Sequence, residues 1–233
     1  MLKFTYKRIK VVMITYYCRA ITTLLLFIYL FINTAISQPI FKVVDQNNQP
    51  LANAVIEIVP TNQATIKPTK PAIYIMDQAN KLFVPSVLVI PKNSLVSFPN
   101  SDDIRHHVYS FSSAKPFELR LYAGKPKNPL TFEQSGVVVL GCNIHDSMVG
   151  YIYVAEHEHA YLSDEKGLIT LPDTIDNIDQ LQVWHSLATT GVEQRQPYKY
   201  NQLPIDNGII TFTIEVYEPT PRDSFENLIT HDH

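Results

Sequence analysis

Cysteine is almost missing from this chain: Cys18 and Cys142 are the only two in 233 residues. Cys18 falls in an apolar N-terminal segment, so the folded part has one thiol and no internal disulfide to stabilise it. Glycine is scarce as well, with seven residues and no low-complexity run, which argues against a disordered chain. There is no Gly-rich phosphate loop and no nucleophilic serine motif, the usual marks of nucleotide binding and acyl transfer. A basic stripe is lacking too, which excludes a nucleic-acid footprint. No stretch after residue 38 keeps a helical hydrophobic period for long, so the fold is not a helical bundle.

The beginning of the chain reads as an export segment. Lys3, Lys7, Arg8, Lys10 and Arg19 precede an apolar run from about Ile21 to Ile32, and Ala35-Ile36-Ser37 forms a small-x-small pattern before Gln38. Cleavage there leaves residues 38–233; a retained membrane anchor is the alternative. Either outcome places the folded part outside the cytoplasm, with the periplasm as the expected compartment, and membrane contact only if the segment is kept. Residues 1–37 carry five bases and no acid, which leaves 14 bases against 22 acids beyond them. Residues 38–155 are near neutral, whereas 156–233 hold four bases and fourteen acids. That acidic third either steers a basic partner or is a solvated face.

What the chain has in quantity is the short strand. β-branched and aromatic residues alternate with polar ones between turn residues at Ile40–Val44, Val55–Val59, Ala72–Met76, Val87–Ile90, Leu95–Phe98 and His107–Phe111. The pattern continues at Phe117–Leu121, Val137–Leu140, Gly150–Val154, Leu181–His185 and Ile209–Val216. In the last, Ile210, Phe212, Ile214 and Val216 share one face and Thr211, Thr213 and Glu215 the other. Sixteen prolines and repeated Asn/Asp turns suit an antiparallel sandwich better than a parallel sheet.

Against that background stand His106 and the run Gly141-Cys142-Asn143-Ile144-His145-Asp146-Ser147-Met148. Two imidazoles, one thiolate and one thioether are the ligand set of a blue copper site, with Met as a long axial ligand. Cys142 closes one expected strand and Met148 opens the next, so residues 142–148 form a compact arch. His106 follows the irregular turn Asn100-Ser101-Asp102-Asp103-Ile104-Arg105. His107 is the competing ligand at that strand start, and Met148 alone could be a core residue. A lone exported thiol without a metal would be an oxidation liability.

Several runs carry a family resemblance: Phe83-Val84-Pro85-Ser86-Val87-Leu88-Val89-Ile90, Val96-Ser97-Phe98-Pro99-Asn100, His106-His107-Val108, and Cys142-x2-His145-x2-Met148. Together they look like the cupredoxins, and the short His145 to Met148 spacing is similar to the amicyanin branch rather than to plastocyanin. His106 through Ser112 and Val139 through Asp146 also resemble bacterial cupredoxin-like proteins labelled methylamine utilisation or plastocyanin-like proteins. The likeness is strong over residues 70–155 and weak elsewhere. It implies an all-β, Greek-key β-sandwich holding one copper ion on His106, Cys142, His145 and Met148. His107, Asn100 and Asn143 are expected around those ligands, His107 either pointing away or close by and Asn100 bracing its turn. Leu140 departs from the family's usual aromatic residue before the Cys, and Gly141 adjoins the thiolate, which leaves the electron exit open.

The flanks resemble another module. Val44 through Val55 looks like the opening hairpin of a carboxypeptidase regulatory-like sandwich, with Asn48 where Gly is usual. Asp164 through Leu168, Leu171-Pro172 and Leu181 through His185 resemble the remainder. The expected organisation is an N-terminal segment 1–37, first strands 38–65, a cupredoxin domain 66–155, a C-terminal β module 156–219 and a tail 220–233. The cupredoxin is then either inserted into a split sandwich or extended at both ends. His157-Glu158-His159 reads first as a solvated linker and second as a metal pair, His185 as a strand-end residue, and His231-Asp232-His233 as a frayed end. The trinuclear His motifs of a multicopper oxidase are absent. The expected function is one-electron transfer without substrate turnover, so not an enzyme, with a c-type cytochrome or a periplasmic dehydrogenase or oxidase as partner and no nucleic acid. A copper chaperone or sensor, and an adhesion or carbohydrate-binding sandwich with a structural metal, are the alternatives.

Overall fold

A computed structural model describes residues 19, 21–23, 40–62, 72–126, 128–145, 147–171, 175 and 177–217. The expected cleavage site and the tail with its His231-Asp232-His233 lie outside the described residues. The chain divides into two units, Met1–Ser37 and Gln38–His233. In the first, Arg19 and Ile21–Thr23 are helical, and the Thr22 and Thr23 hydroxyls donate to the Arg19 carbonyl at 2.9 and 2.8 Å. No helix among the described residues is long and apolar enough to cross a membrane.

The described secondary elements of the second unit are β strands apart from one 3-10 turn, Tyr200–Gln202. Its strands are β1 Ile40–Val44, β2 Val55–Pro60, β3 Ile73–Ile75, β4 Asp77–Ala79, β5 Leu82–Val84, β6 Val87–Pro91, β7 Ser94–Ser97, β8 His106–Ser110 and β9 Phe117–Tyr122. They continue with β10 Leu130–Phe132, β11 Gly136–Gly141, β12 Val149–Ala155, β13 Ala160–Leu162, β14 Leu168–Ile169, β15 Ile178–Trp184, β16 Gln196–Lys199 and β17 Ile209–Thr213. Four sheets matter, with strand orders β14-β1-β17, β13-β2-β15-β16, β6-β12-β11-β8-β9 and β10-β7-β3. β4 and β5 form a separate hairpin. The flanking segments thus supply the first two sheets, and β3 to β12 supply the others.

Strand alternation stacks these sheets in four layers. Phe41, Val43, Ile210 and Phe212 of the β14-β1-β17 sheet pack on Ile56, Ile58, Leu181 and Val183 of the β13-β2-β15-β16 sheet. From that second sheet Val55 and Trp184 point the other way, onto Val87, Val137, Tyr153 and Ala155 of the five-stranded sheet. That sheet then turns Val108, Val138, Leu140, Ile152 and Val154 toward Val96 and Phe132 of the β10-β7-β3 sheet. The central strands of the two inner sheets are therefore buried on both faces, while β9 and β16 keep exposed residues, and β2 reads as a near-continuous apolar run, Val-Ile-Glu-Ile-Val. Each fully buried aliphatic or aromatic side chain contributes about 1.5–3 kcal/mol of burial energy.

Three of the sheets are mixed, which corrects the antiparallel expectation, while the β13-β2-β15-β16 sheet is antiparallel throughout. β1 pairs with β17, β6 with β12 and β3 with β7 in parallel. Alternation along one strand fixes which side is buried and says nothing about the direction of a neighbour far away in sequence. Asn48, at φ 59°, does sit left-handed in the β1–β2 connection. Asp45 Oδ1 holds that turn by accepting from the amides of Asn47 and Gln49 at 2.8 and 2.7 Å.

Candidate metal centre

The site grows from one end of the five-stranded sheet. β11 and β12 run antiparallel with Gly141 opposite Val149, so the segment between them closes over the sheet edge. The Met148 amide donates to the His145 carbonyl at 2.9 Å, which pins the arch. Cys142 is a free, buried thiol, and Met148 is fully buried in the same apolar cluster as Cys142. β8 runs beside β11, with Tyr109 opposite Gly141, and its first residue is His106.

Successive side chains of β8 face opposite ways, and this separates the two histidines. The His106 ring is completely buried, with Nδ1 3.7 Å from Cys142 Sγ. His107 Nε2 lies 3.0 Å from Glu118 Oε1 but off the line a hydrogen bond needs, and the ring meets Tyr109 edge-on. The structure therefore brings His106, and not His107, to Cys142. His145 completes the group: one ligand atom from each of His106, Cys142 and His145 lies within 4.8 Å of the others. The two imidazole rings are 5.4 Å apart and tilted by 55°.

Metal binding fits these atoms on two counts. His145 Nδ1 is buried and has no hydrogen-bond partner in the protein, a costly arrangement unless something else accepts its lone pair. Bonds of about 2.0 Å to nitrogen and about 2.3 Å to sulfur, opened by a trigonal angle, separate the two ligand atoms by about 3.7 Å. That is the spacing between His106 Nδ1 and Cys142 Sγ. Two imidazoles, one thiolate and a buried thioether are soft and intermediate donors that suit copper.

The surroundings fix the His106 side. Asn100 is buried, its Nδ2 donating to the carbonyls of Ile104 and Tyr122 at 2.8 and 2.9 Å, and its Oδ1 accepting from the Asp102 amide at 3.0 Å. Asp102 Oδ2 in turn meets His106 Nε2 at 2.7 Å. Burial would push the Asp102 carboxyl up, but hydrogen bonds from the Lys81 amide, the His106 ring and the Asn80 amide outweigh it and hold the group below the usual carboxylate range. Tyr122, opposite His106 in the β8–β9 ladder, is pushed up to about 12 by burial, with Asp77 and Cys142 adding to the rise. Asn143 and Ile144 are exposed beside His145, so the arch presents its polar and apolar rim outward.

His157 and His159 do not belong to this group. His157, read from sequence as part of a solvated linker, is tied to a buried carboxylate: its amide and Nδ1 lie 2.7 and 2.8 Å from Glu57 Oε1. His159 stacks on Tyr161. Asp102 and Glu57 escaped the sequence reading as functional groups; the only signals were an acid four residues before His106 and an acid inside an apolar strand.

No protein-family model matches the chain, and no curated protein matches it. Among solved structures, the chain is similar to a copper-containing nitrite reductase from Thermus scotoductus, at 26% identity and TM-score 0.36, over 43% of this chain and about a quarter (26%) of that one. It is also similar to a purple cupredoxin from Nitrosopumilus maritimus, at 24% identity and TM-score 0.31, over 36% of this chain and 99% of that one. An amicyanin variant aligns at 18% identity and TM-score 0.32, over 44% of this chain and 98% of its own.

Proposed function

We propose that the protein is an exported, mononuclear type 1 copper protein of the cupredoxin kind that carries one electron and turns over no substrate. The observation that carries this reading is the convergence of one ligand atom each from His106, Cys142 and His145, with His106 Nδ1 3.7 Å from Cys142 Sγ and His145 Nδ1 buried without a hydrogen-bond partner. Copper bound there supplies a one-electron couple. His106, Cys142 and His145 would hold the ion, with the buried Met148 thioether as the further donor. His106 opens β8 and Cys142 directly follows the paired strand β11, and both are buried, so these donors would be held in place whatever the charge on a bound metal. Water is excluded from that side, and the exposed rim at Asn143 and Ile144 leaves the His145 edge as the route toward a redox partner. A c-type cytochrome or a periplasmic dehydrogenase or oxidase fits that role. On this reading residues 66–155 are the copper module, set within the flanking sandwich.

The test is the visible spectrum of the purified protein after addition of Cu(II), beside Cys142→Ser. A strong absorption of the thiolate-to-copper kind that disappears in the variant is the expected result. A colourless protein that binds Cu(I) tightly would replace the carrier with a copper chaperone. Failure to bind copper in either state would end both readings.

A further inference from the structure

The His106 ring faces two different partners. Its Nδ1 looks at Cys142 Sγ from 3.7 Å, while its Nε2 sits 2.7 Å from Asp102 Oδ2. Asp102 is itself held on every side. Its Oδ1 accepts from the Asn80 amide at 2.6 Å and its Oδ2 from the Lys81 amide at 3.0 Å. Both amides belong to the turn between β4 and β5, where Asn80 and Lys81 have φ of 55° and 61°. A lysine in the left-handed region is unfavourable, and here the conformation points two successive amides at one carboxylate. Asn100 Oδ1 fixes the Asp102 backbone from the other side. The Asp102 side chain is only 13% exposed and the His106 ring is fully buried.

We propose that Asp102 is a positioning residue for the metal centre: it keeps the His106 proton on Nε2, aims the Nδ1 lone pair at the site, and places a fixed negative charge one ring away from the metal. A carboxylate behind a ligating imidazole orients the ring and makes it a stronger donor. The same charge favours the more highly charged oxidation state, so Asp102 holds the couple toward Cu(II). This rests on the copper reading above for its redox consequence, but not for the tautomer, which belongs to the metal-free chain.

Two measurements on the full chain separate the parts. Nitrogen-resolved NMR of the metal-free protein should find His106 in the Nε2–H tautomer, and Asp102→Ala should lose that preference. A His106 proton on Nδ1 in the unaltered chain would overturn the proposal whether or not copper binds. In the copper-loaded protein, Asp102→Asn keeps the size of the side chain and removes the charge. The ratio of Cu(II) to Cu(I) affinity should then fall about tenfold, which is a rise in reduction potential of about 59 mV for one electron. An unchanged ratio in a variant that still develops the copper colour would reduce Asp102 to a structural brace. If the unaltered chain takes up no copper, the copper reading falls, and the tautomer measurement still decides the role of Asp102.

Discussion

His185 shows how one side chain sets a pH dependence. Its Nε2–H donates to the Ala52 carbonyl at 3.2 Å, and its Nδ1 accepts from the Leu187 amide at 3.3 Å. Both nitrogens are thus satisfied in the neutral ring, and a second proton on Nδ1 would face the Leu187 N–H. Burial lowers the His185 pKa below its ordinary value, against the opposing pull of the Ala52 hydrogen bond. A histidine depressed in the folded state contributes stability that is fully present above the unfolded value near ~6.5. That contribution is lost as pH falls from there through the folded value. Denaturant melts at several pH values between neutrality and mild acid should therefore show His185→Gln losing stability less steeply than the unaltered protein. At neutral pH the same variant should be weaker by about 1 kcal/mol from its altered hydrogen bonds.

At the scale of strands, the contact between β8 and β11 depends on a missing side chain. A Cβ at Gly141 would come within 2.7 Å of the Tyr109 ring, which lies directly against the residue preceding Cys142. Gly141→Ala should destabilise the protein by about 1–3 kcal/mol through overpacking, and if copper binds as proposed it should shift the absorption band by moving Cys142. Adding Tyr109→Ser should recover much of the loss, and a double-mutant cycle of thermal melts measures the coupling. The long strands and the arch were legible in the sequence because alternation and loop spacing are local. In β17, Ile210 and Phe212 are buried and Thr211 and Thr213 exposed, as their spacing requires. β4, β5, β10, β13, β14 and β16 were not legible, since two to four residues hardly display a period, and β10, β13 and β14 pair with strands far away in sequence. The resemblance pointed to His106 rather than His107, and the alternation along β8 supplies the physical reason; Asp102 needed the β4–β5 turn that folds over it.

Across the whole second unit, the two inner sheets meet over Trp184, Tyr153 and Val55, with a charge sealed beside them. Glu57 of β2 is fully buried and takes Tyr153 Oη at 2.8 Å and Arg195 Nη1 at 3.2 Å. Burial and the Glu57 charge push the Tyr153 phenol well above its usual range, so it stays a hydrogen-bond donor. Removing Glu57 leaves the buried Tyr153 hydroxyl and the partly exposed Arg195 without their partner, at a cost of about 1–3 kcal/mol. Glu57→Ala should lose that much in denaturant melts, and Glu57→Ala with Arg195→Met should lose less. Trp184 is the only tryptophan in the chain, so its fluorescence reports this junction directly.

One pairing also decides how the molecule answers force. β1 and β17 lie side by side in parallel, with Ile40 opposite Ile209 and Val44 opposite Thr213. A pull applied at the start of β1 and the end of β17 runs along both strands in opposite senses, so the hydrogen bonds between them are loaded together in shear rather than peeled one at a time. Every residue of the metal centre lies within the stretch of chain that this latch closes. Tension therefore reaches the arch only after the latch has slipped, and the centre is mechanically shielded by strands that share none of its chemistry.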